Sequence, residues 1–129
     1  ACAEAGIPFG ENDVLGVDAE QPGYMDDVAG AVSKGGYDGL FGLSDVTCAS
    51  ALRALHHARV RVPEEVKVVS FGDGDLARFS YPALTSVGLP KDELGREMVR
   101  ALMRMVDAGR QEADEILLTP HLVERESSS

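Results

Sequence analysis

Two short polar turns carry the residues best suited to chemistry. Ser44 and Asp45 follow an apolar run at 37–43, and a turn of sequence Gly-Asp-Gly-Asp at 72–75 follows a second apolar run at 66–71. Hydroxyl and carboxylate oxygens can fix ligand hydroxyls, activate a nucleophile or hold a cation. The residues around each turn decide among these chemistries.

Neither turn has the spacing of a known catalytic or calcium motif. A nucleophile elbow needs Gly two residues after its serine, and Val46 stands there after Ser44. Ser44 is therefore expected to cap a helix or to hydrogen-bond in a pocket. A calcium loop counted from Asp73 needs Gly at its sixth position and Glu at its twelfth, where the chain has Arg78 and Leu84.

The histidines and glycines suggest no cofactor. His56 and His57 are adjacent on a predicted helix and cannot both face one metal, and His121 is distant in sequence. We expect all three to be solvated or packed. Neither a G-x-G-x-x-G fingerprint nor a P-loop occurs. The sequence therefore predicts no metal, no cofactor and no enzymatic activity.

The composition argues against direct contact with DNA or a membrane. The chain has 129 residues, 12 basic and 22 acidic side chains, a net charge of −10 and 44% hydrophobic residues. DNA contact needs clustered Lys and Arg, which an acidic chain lacks. It has no apolar run of about 18 residues and no basic-then-apolar leader. Cys2 and Cys48 could pair, but two reduced thiols in a cytoplasmic protein are the favoured interpretation.

Hydrophobic periodicity predicts alternating strands and helices. The predicted strands lie at 14–18, 37–43, 66–71, 84–87, 116–118 and 122–124, and the predicted helices at 24–33, 46–59, 76–81 and 91–108. The last helix has an apolar stripe with charges opposite and ends at Gly109. Residues 127–129 are expected to form a polar tail. The first residues resemble the last turn of a helix stopped by Gly6, so we expect a fragment of a larger protein.

This alternation predicts an α/β fold with a parallel sheet. In such sheets ligands lie beyond the carboxyl ends of the strands. That rule selects the turns at 44–45 and 72–75 as the candidate site. If the two preceding strands are neighbours, both turns open on the same edge of the sheet.

Four segments of the chain, in order, carry a family resemblance. The first is the strand and turn at 37–45 with the small-residue helix after it; the others lie at 61–71, 82–87 and 122–127. They resemble the family's strand with Asn-Asp, its Arg-Val-Pro-x-Asp-Val connector, its Pro-x-Leu-Thr-Thr-Val strand and its terminal Leu-Val-x-Arg-x-Ser. Together they resemble the C-terminal part of the LacI/GalR-type transcriptional regulators, over nearly the whole chain.

The resemblance implies a fragment of a two-lobed sensor. The expected fold is a parallel-sheet three-layer lobe of a periplasmic-binding-protein-like type I sensor domain. Residues 1–88 would form an incomplete C-terminal lobe, and 89–126 would return to an absent N-terminal lobe. The resemblance also implies a small sugar-like effector between the lobes, a homodimer, and DNA contact only through an absent N-terminal helix-turn-helix. Tyr24 resembles the family's packing aromatic.

The resemblance points to five ligand-binding candidates: Ser44, Asp45, Gly72, Asp73 and Asp18. Three depart from the family pattern, because Ser44 stands for the usual Asn, Gly72 for the usual Asp, and Asp18 near the place of a stacking aromatic. Asp45 has an alternative role, since a carboxylate at a helix start favours the helix dipole. Asp73 is expected to fix ligand hydroxyls.

Two other functions stay open from the sequence alone. An extracytoplasmic sugar-binding protein of a transport system shares the fold, and an enzyme on a doubly wound sheet is the third candidate. The sequence upstream of residue 1 would separate the first two, because it would carry either a DNA-binding head or a secretion signal.

Overall fold

The structure, a computed structural model, describes residues 2, 4–16, 23–109 and 115–129 of the chain. After a short 3-10 turn at Glu11–Asp13, the helices are α1 (Tyr24–Gly35), α2 (Asp45–His57), α3 (Asp75–Phe79) and α4 (Lys91–Ala108). The strands are β1 (Gly39–Phe41), β2 (Lys67–Gly72), β3 (Thr85–Gly88) and β4 (His121–Val123).

The strands form one sheet in the order β1-β2-β3-β4. β1, β2 and β3 are parallel, and β4 is antiparallel to β3. Helices α2 and α3 connect the parallel strands in sequence. The sheet confirms the predicted α/β class, and it confirms that the two strands before the candidate turns are neighbours.

The core lies between helices α1, α2 and α3 and one face of the sheet. Leu55, Val68 and Leu84 are fully buried there in a single apolar cluster, with Leu40 packed against it. Because strand side chains alternate between faces, Phe41 lies on the opposite face and remains 59% exposed. The described helices of the core therefore form one layer on the sheet, so two of the three expected layers are present in the described residues.

Small residues let α1 pack closely on α2. Tyr24 and Val28 of α1 are buried against Ala51 and Ala54 of α2, and the Tyr24 hydroxyl donates to the Thr47 carbonyl oxygen over 2.9 Å. This contact agrees with the packing role implied for Tyr24. It anchors α2, whose amino end carries the candidate turn.

Helix α4 has the predicted bounds, but its apolar side is not packed against other described residues. It follows Pro90 and ends at Gly109, whose φ of 58° gives the left-handed conformation common after helices. The predicted apolar stripe is exposed to solvent along the helix, at Leu94, Met98, Leu102 and Val106. Among the described residues, nothing buries this stripe.

Two predicted strands are wrong. Residues 14–16 and 116–118 have no regular structure, and 17–18 lie outside the described residues. A strand needs a neighbouring strand for its backbone hydrogen bonds, and no described strand pairs with either segment. Leu117 is accordingly exposed. An apolar run by itself does not supply that partner. The strand predicted at 37–43 is real but shorter, and two of its three residues are exposed.

The end of the chain does not form the expected polar tail. Ser127 is fully buried, where its hydroxyl donates to the Val68 carbonyl oxygen and accepts from the Thr85 N–H. These bonds fix the segment after β4 onto β2 and β3. The division of the chain at residue 88 remains a prediction.

Candidate functional site

The two candidate turns touch at the carboxyl edge of β1 and β2. The Gly74 N–H donates to Asp45 Oδ2 over 2.7 Å, which links the turn after β2 to the first residue of α2. Ser44 and Asp45 follow β1 by three and four residues, so both turns open on the same edge. The structure thus brings together Ser44, Asp45, Gly72 and Asp73, as expected for neighbouring strands.

Asp45 is the centre of a buried hydrogen-bond network. Besides Gly74, the Ser70 and Ser86 hydroxyls donate to Asp45 Oδ1, over 2.6 Å and 3.1 Å. These three donors come from β2, β3 and the turn between β2 and α3. The carboxylate is therefore occupied by structural partners, and they lie outside its own helix. A ligand contact for Asp45 remains a prediction.

Ser44 caps α2, as expected from the sequence. Its Oγ accepts from the Thr47 N–H over 3.1 Å and lies 2.8 Å from the Thr47 hydroxyl oxygen. The cap satisfies one of the N–H groups that the first turn of a helix leaves free. The Ser44 hydroxyl is half-buried at the crevice with this bond already made.

Asp73 is held from several sides at the mouth of the site. Its N–H donates to Ser86 Oγ over 3.0 Å, and its carbonyl oxygen accepts from Lys91 Nζ over 3.2 Å. Arg125 donates to Asp73 Oδ1 over 2.6 Å, and the Arg78 guanidinium lies 3.7 Å from Oδ2.

The two arginines, Arg125 and Arg78, favour the ionised form of Asp73. Partial burial works to raise the pKa of its carboxyl group, but the hydrogen bond and charge of Arg125, with a smaller contribution from Arg78, outweigh it. The pKa of Asp73 is therefore held below its ordinary value. The side chain is a fixed carboxylate, 12% exposed, beside an exposed arginine.

Gly72 contributes space to the site, because it has no side chain. Its φ is 128°, a conformation that side-chain-bearing residues rarely adopt, and a Cβ there would lie 3.2 Å from Asp45 Oδ2. The turn therefore requires glycine at this position. An aspartate there, as in the resembled family, would have a strained backbone and would press its Cβ against Asp45 Oδ2.

Several residues of this edge were not among the sequence candidates. Arg125 and Lys91 reach Asp73, and Ser70 and Ser86 reach Asp45. Serines inside otherwise apolar strands were the signal for the Asp45 network. Arg125 belongs to the terminal motif at 122–127, although nothing local in the sequence indicates its partner 52 residues away.

The remaining candidates give little further chemistry. Asp18 lies outside the described residues. Cys2 and Cys48 are free thiols, and burial raises the pKa of Cys48 to about 11. In the described ranges, no group of His, Cys, Asp and Glu is arranged to hold a metal ion. None of the helices described is both long and apolar enough to cross a membrane.

Comparison with known proteins identifies the family. The periplasmic binding protein-like domain family matches residues 1–128. The regulator CelR of Thermobifida fusca, named as an HTH-type transcriptional regulator, is 39% identical over 90 residues, which cover 70% of this chain and 26% of that protein.

Solved structures agree with this match. The structure described as a transcriptional regulator CelR–cellobiose complex superposes with a TM-score of 0.85 at 30% identity, over 98% of this chain and 39% of that one. A transcriptional regulator of the LacI family from Sanguibacter keddieii gives a TM-score of 0.81 at 30% identity, over 97% of this chain and 49% of that one. The chain thus spans between about a quarter and a half of the proteins it matches. It belongs to the periplasmic binding protein-like domain family, in the form found in LacI-type transcriptional regulators.

Proposed function

We propose that this chain forms one wall of an effector-binding crevice in a LacI-type transcriptional repressor. The effector would be a small sugar-like metabolite held at the carboxyl edge of β1 and β2. The observation that carries the proposal is the contact between the two turns, in which the Gly74 N–H reaches Asp45 Oδ2 over 2.7 Å. This contact brings hydroxyl groups, carboxylate groups and glycine backbone together at the edge where parallel sheets bind ligands.

The relatives support this function over transport or catalysis. The regulator from Thermobifida fusca is named as an HTH-type transcriptional regulator. A similar solved structure is described as a complex of the transcriptional regulator CelR with cellobiose. A sugar-like effector for this chain follows by analogy with that complex. A role as a binding module, with no catalytic step of its own, follows in the same way.

The partners and the division of the chain belong to the same proposal. Residues 1–88 would lie in the second lobe, 89–126 would return to a first lobe, and that lobe would close over the effector. The regulator would act as a cytoplasmic homodimer and contact DNA through a separate helix-turn-helix head. The acidic charge of this chain, −10, fits a segment that leaves DNA contact to another part of the protein.

A thermal-shift screen tests the proposal. The protein is prepared together with its upstream sequence, and sugars, sugar phosphates and nucleobases are screened for a rise in Tm. A ligand at about 100 times its Kd adds about 2.7 kcal/mol of apparent stability, which corresponds to several degrees. We expect at least one sugar-like compound to give such a rise.

Matched variants localise the response. Asp73→Ala is expected to reduce the rise, whereas Arg53→Gln, an exposed change on α2 away from this edge, should preserve it. The proposal is wrong if no compound of these classes raises Tm, or if the rise is the same in Asp73→Ala as in the unchanged protein.

A further inference from the structure

Asp73 is bonded to three different segments of the chain through three different groups. Its N–H donates to Ser86 Oγ of β3 over 3.0 Å, and its carbonyl oxygen accepts from Lys91 Nζ, at the start of α4, over 3.2 Å. Its carboxylate accepts from Arg125, which follows β4, over 2.6 Å. The turn at 72–75 is therefore held by segments that are distant from it in sequence.

The backbone of this turn depends on such support. Gly72 has a φ of 128° and Asp73 a φ of 48°, so two successive residues lie in the left-handed region. Glycine adopts this region freely, whereas aspartate tolerates it better than most residues but still prefers other conformations. A conformation of this kind persists where its surroundings fix it. The bonds from Ser86, Lys91 and Arg125 supply that fixation.

Arg125 is well suited to hold the turn in one position. Its guanidinium also donates to the Leu84 carbonyl oxygen over 2.7 Å, and its main-chain N–H donates to Thr85 Oγ1 over 2.8 Å. The side chain is only 17% exposed. A charged side chain that is itself fixed positions its partner more strictly than a mobile one. Lys91 is exposed and makes a single bond to the turn, so its contribution is the smaller.

Lys91 and Arg125 belong to two connections that lie side by side. β3 ends at Gly88, and α4 begins at Lys91. β4 is antiparallel to β3, and its first residue, His121, pairs with Gly88. A Cβ at Gly88 would lie 3.4 Å from Asp73 Cβ, so the turn is next to this pair. The chain thus leaves the sheet for α4, and later returns to it, beside Asp73.

We propose that Arg125 and Lys91 are positioning residues, which hold the turn at 72–75 from the two connections that lead to and from α4. The inference rests on the proposed function in that it takes this turn as part of the effector crevice. One connection bonds to the Asp73 carbonyl oxygen and the other to its carboxylate, so displacement of either connection changes the turn. Movement of the segment at 89–126 thereby alters the crevice, and an effector that fixes the turn restrains both connections.

Nuclear magnetic resonance relaxation of the ¹⁵N-labelled chain tests the positioning role. The amide order parameters of residues 72–74 report motion of the turn within the folded protein, so a loss of overall stability alone does not lower them. In the unchanged protein we expect about 0.85, the value of rigid backbone, and in Arg125→Gln less than about 0.6. Lys91→Gln should lower them by about 0.1, because its bond is exposed.

Matched controls separate the positioning role from a general effect of charge. Arg53→Gln and Arg96→Gln remove the same charge from exposed residues of α2 and α4, and they should leave residues 72–74 unchanged. The amides of Leu52 and Leu55, both buried in α2, serve as the internal reference. Their order parameters should stay at about 0.85 in every variant.

A change in one connection alone tests the coupling. Pro90→Gly keeps both positioning side chains but loosens the backbone between β3 and α4, because glycine lacks the ring that fixes φ. We expect the order parameters of residues 72–74 to fall by about 0.1 here as well. Lys91→Gln and Pro90→Gly lie at an exposed helix start, so they keep the inference testable if Arg125→Gln does not fold.

The overturning results are specific. The inference is rejected if residues 72–74 keep their order parameters in Arg125→Gln and Lys91→Gln, or if Arg96→Gln lowers them as much as Lys91→Gln. An unchanged turn in Pro90→Gly rejects the coupling to the connections. None of these results requires a bound effector, so such a rejection leaves the proposed function standing. A thermal-shift screen without a hit rejects the proposed function, and the order parameters still decide the positioning role.

Discussion

Asp45 and Asp73 are two carboxylates on the same edge of one sheet, and their surroundings differ in kind. Asp45 is buried and accepts only from neutral donors, two serine hydroxyls and the Gly74 N–H. Asp73 lies near the surface and is surrounded by cations, with Arg125 bound to it and Arg78 close by. One residue type at one edge thus has two different environments.

The difference separates a structural carboxylate, Asp45, from the carboxylate for which ligand binding is proposed, Asp73. Neutral donors joined to the buried Asp45 carboxylate fix β2, β3 and α2 relative to one another, and they occupy three of its roughly four acceptor positions. Cations on a partly exposed carboxylate leave donors available to solvent. The hydroxyl of Ser86 connects the two, because it donates to Asp45 and accepts from the Asp73 N–H. Asp45 thereby positions the turn that carries Asp73.

Removing the Asp45 carboxylate should give the largest effect. Asp45→Ala leaves two hydroxyls and one N–H in the interior without their acceptor, so we expect unfolding free energy to fall by about 3 kcal/mol or more. Urea denaturation followed by circular dichroism measures it.

The matched variant is Asp45→Asn, which keeps the shape and one acceptor oxygen but turns an amide N–H toward a donor. It should cost about half as much. A loss below about 1 kcal/mol in Asp45→Ala would show that the network is not structural.

The next largest effect is expected from the arginines that face Asp73. Arg125 and Arg78 differ in how far their side chains are exposed to solvent. Arg125→Ala should cost about 2 kcal/mol, because it breaks charge-assisted bonds to Asp73 and to the Leu84 carbonyl oxygen. Arg78→Ala should cost at most about 0.5 kcal/mol, as for an exposed ion pair. Equal costs in denaturation experiments would contradict the distinction between the two arginines.

Substitution of Ser44 tests whether this residue stabilises α2 as a helix cap. Ser44→Ala should reduce stability by about 1 kcal/mol through loss of the bond from the Thr47 N–H. Ser44→Asp retains a capping oxygen and should restore most of that loss. Thermal unfolding of the three proteins side by side is sufficient, and an unchanged Tm in Ser44→Ala would show that the cap adds nothing to stability.

The pH dependence of Asp73 should give an effect no larger than that of the Ser44 cap. Its folded pKa lies below the ordinary value near 4. Its stabilising contribution is therefore complete above about pH 4 and is lost as pH falls through the lower folded pKa. We expect the unchanged protein to exceed Asp73→Asn by about 1 kcal/mol at pH 7.

That gap should narrow in urea denaturation series taken from pH 7 to pH 3. The two proteins differ only at residue 73, so the change in the gap with pH reports mainly on Asp73. A gap that is constant or that widens toward acid would show that the cations do not stabilise this carboxylate.

Local sequence signals predicted the helices well. Pro90 and Gly109 delimit α4, and the stripe between them has helical spacing, so the bounds at 91–108 are correct. The Ser44 cap also depends only on residues within one helical turn. Such features need no knowledge of distant contacts, because neighbours in sequence determine them.

Features that depend on distant partners could not be predicted in this way. The runs at 14–18 and 116–118 have strand composition, but pairing needs a neighbour that their own sequence does not specify. The Asp73–Arg125 pair and the bonds of Asp45 to Ser70 and Ser86 join residues 25 to 52 positions apart. The fold class follows from the alternation of strands and helices, and the edge of the sheet from a general rule, but only the folded structure brings the partners at that edge together.

The buried place of Ser127 has a consequence for how the protein is made. Its bonds to Val68 and to Thr85 join residues 59 and 42 positions apart, so β2 and β3 acquire these hydrogen bonds only after residue 127 has been synthesised. A ribosome retains the most recently added residues in its exit tunnel, and assembly of this edge must therefore wait until residue 127 has left the tunnel. Nascent chains held at that stage would expose an unfinished sheet, and they would be the form most prone to aggregation during synthesis.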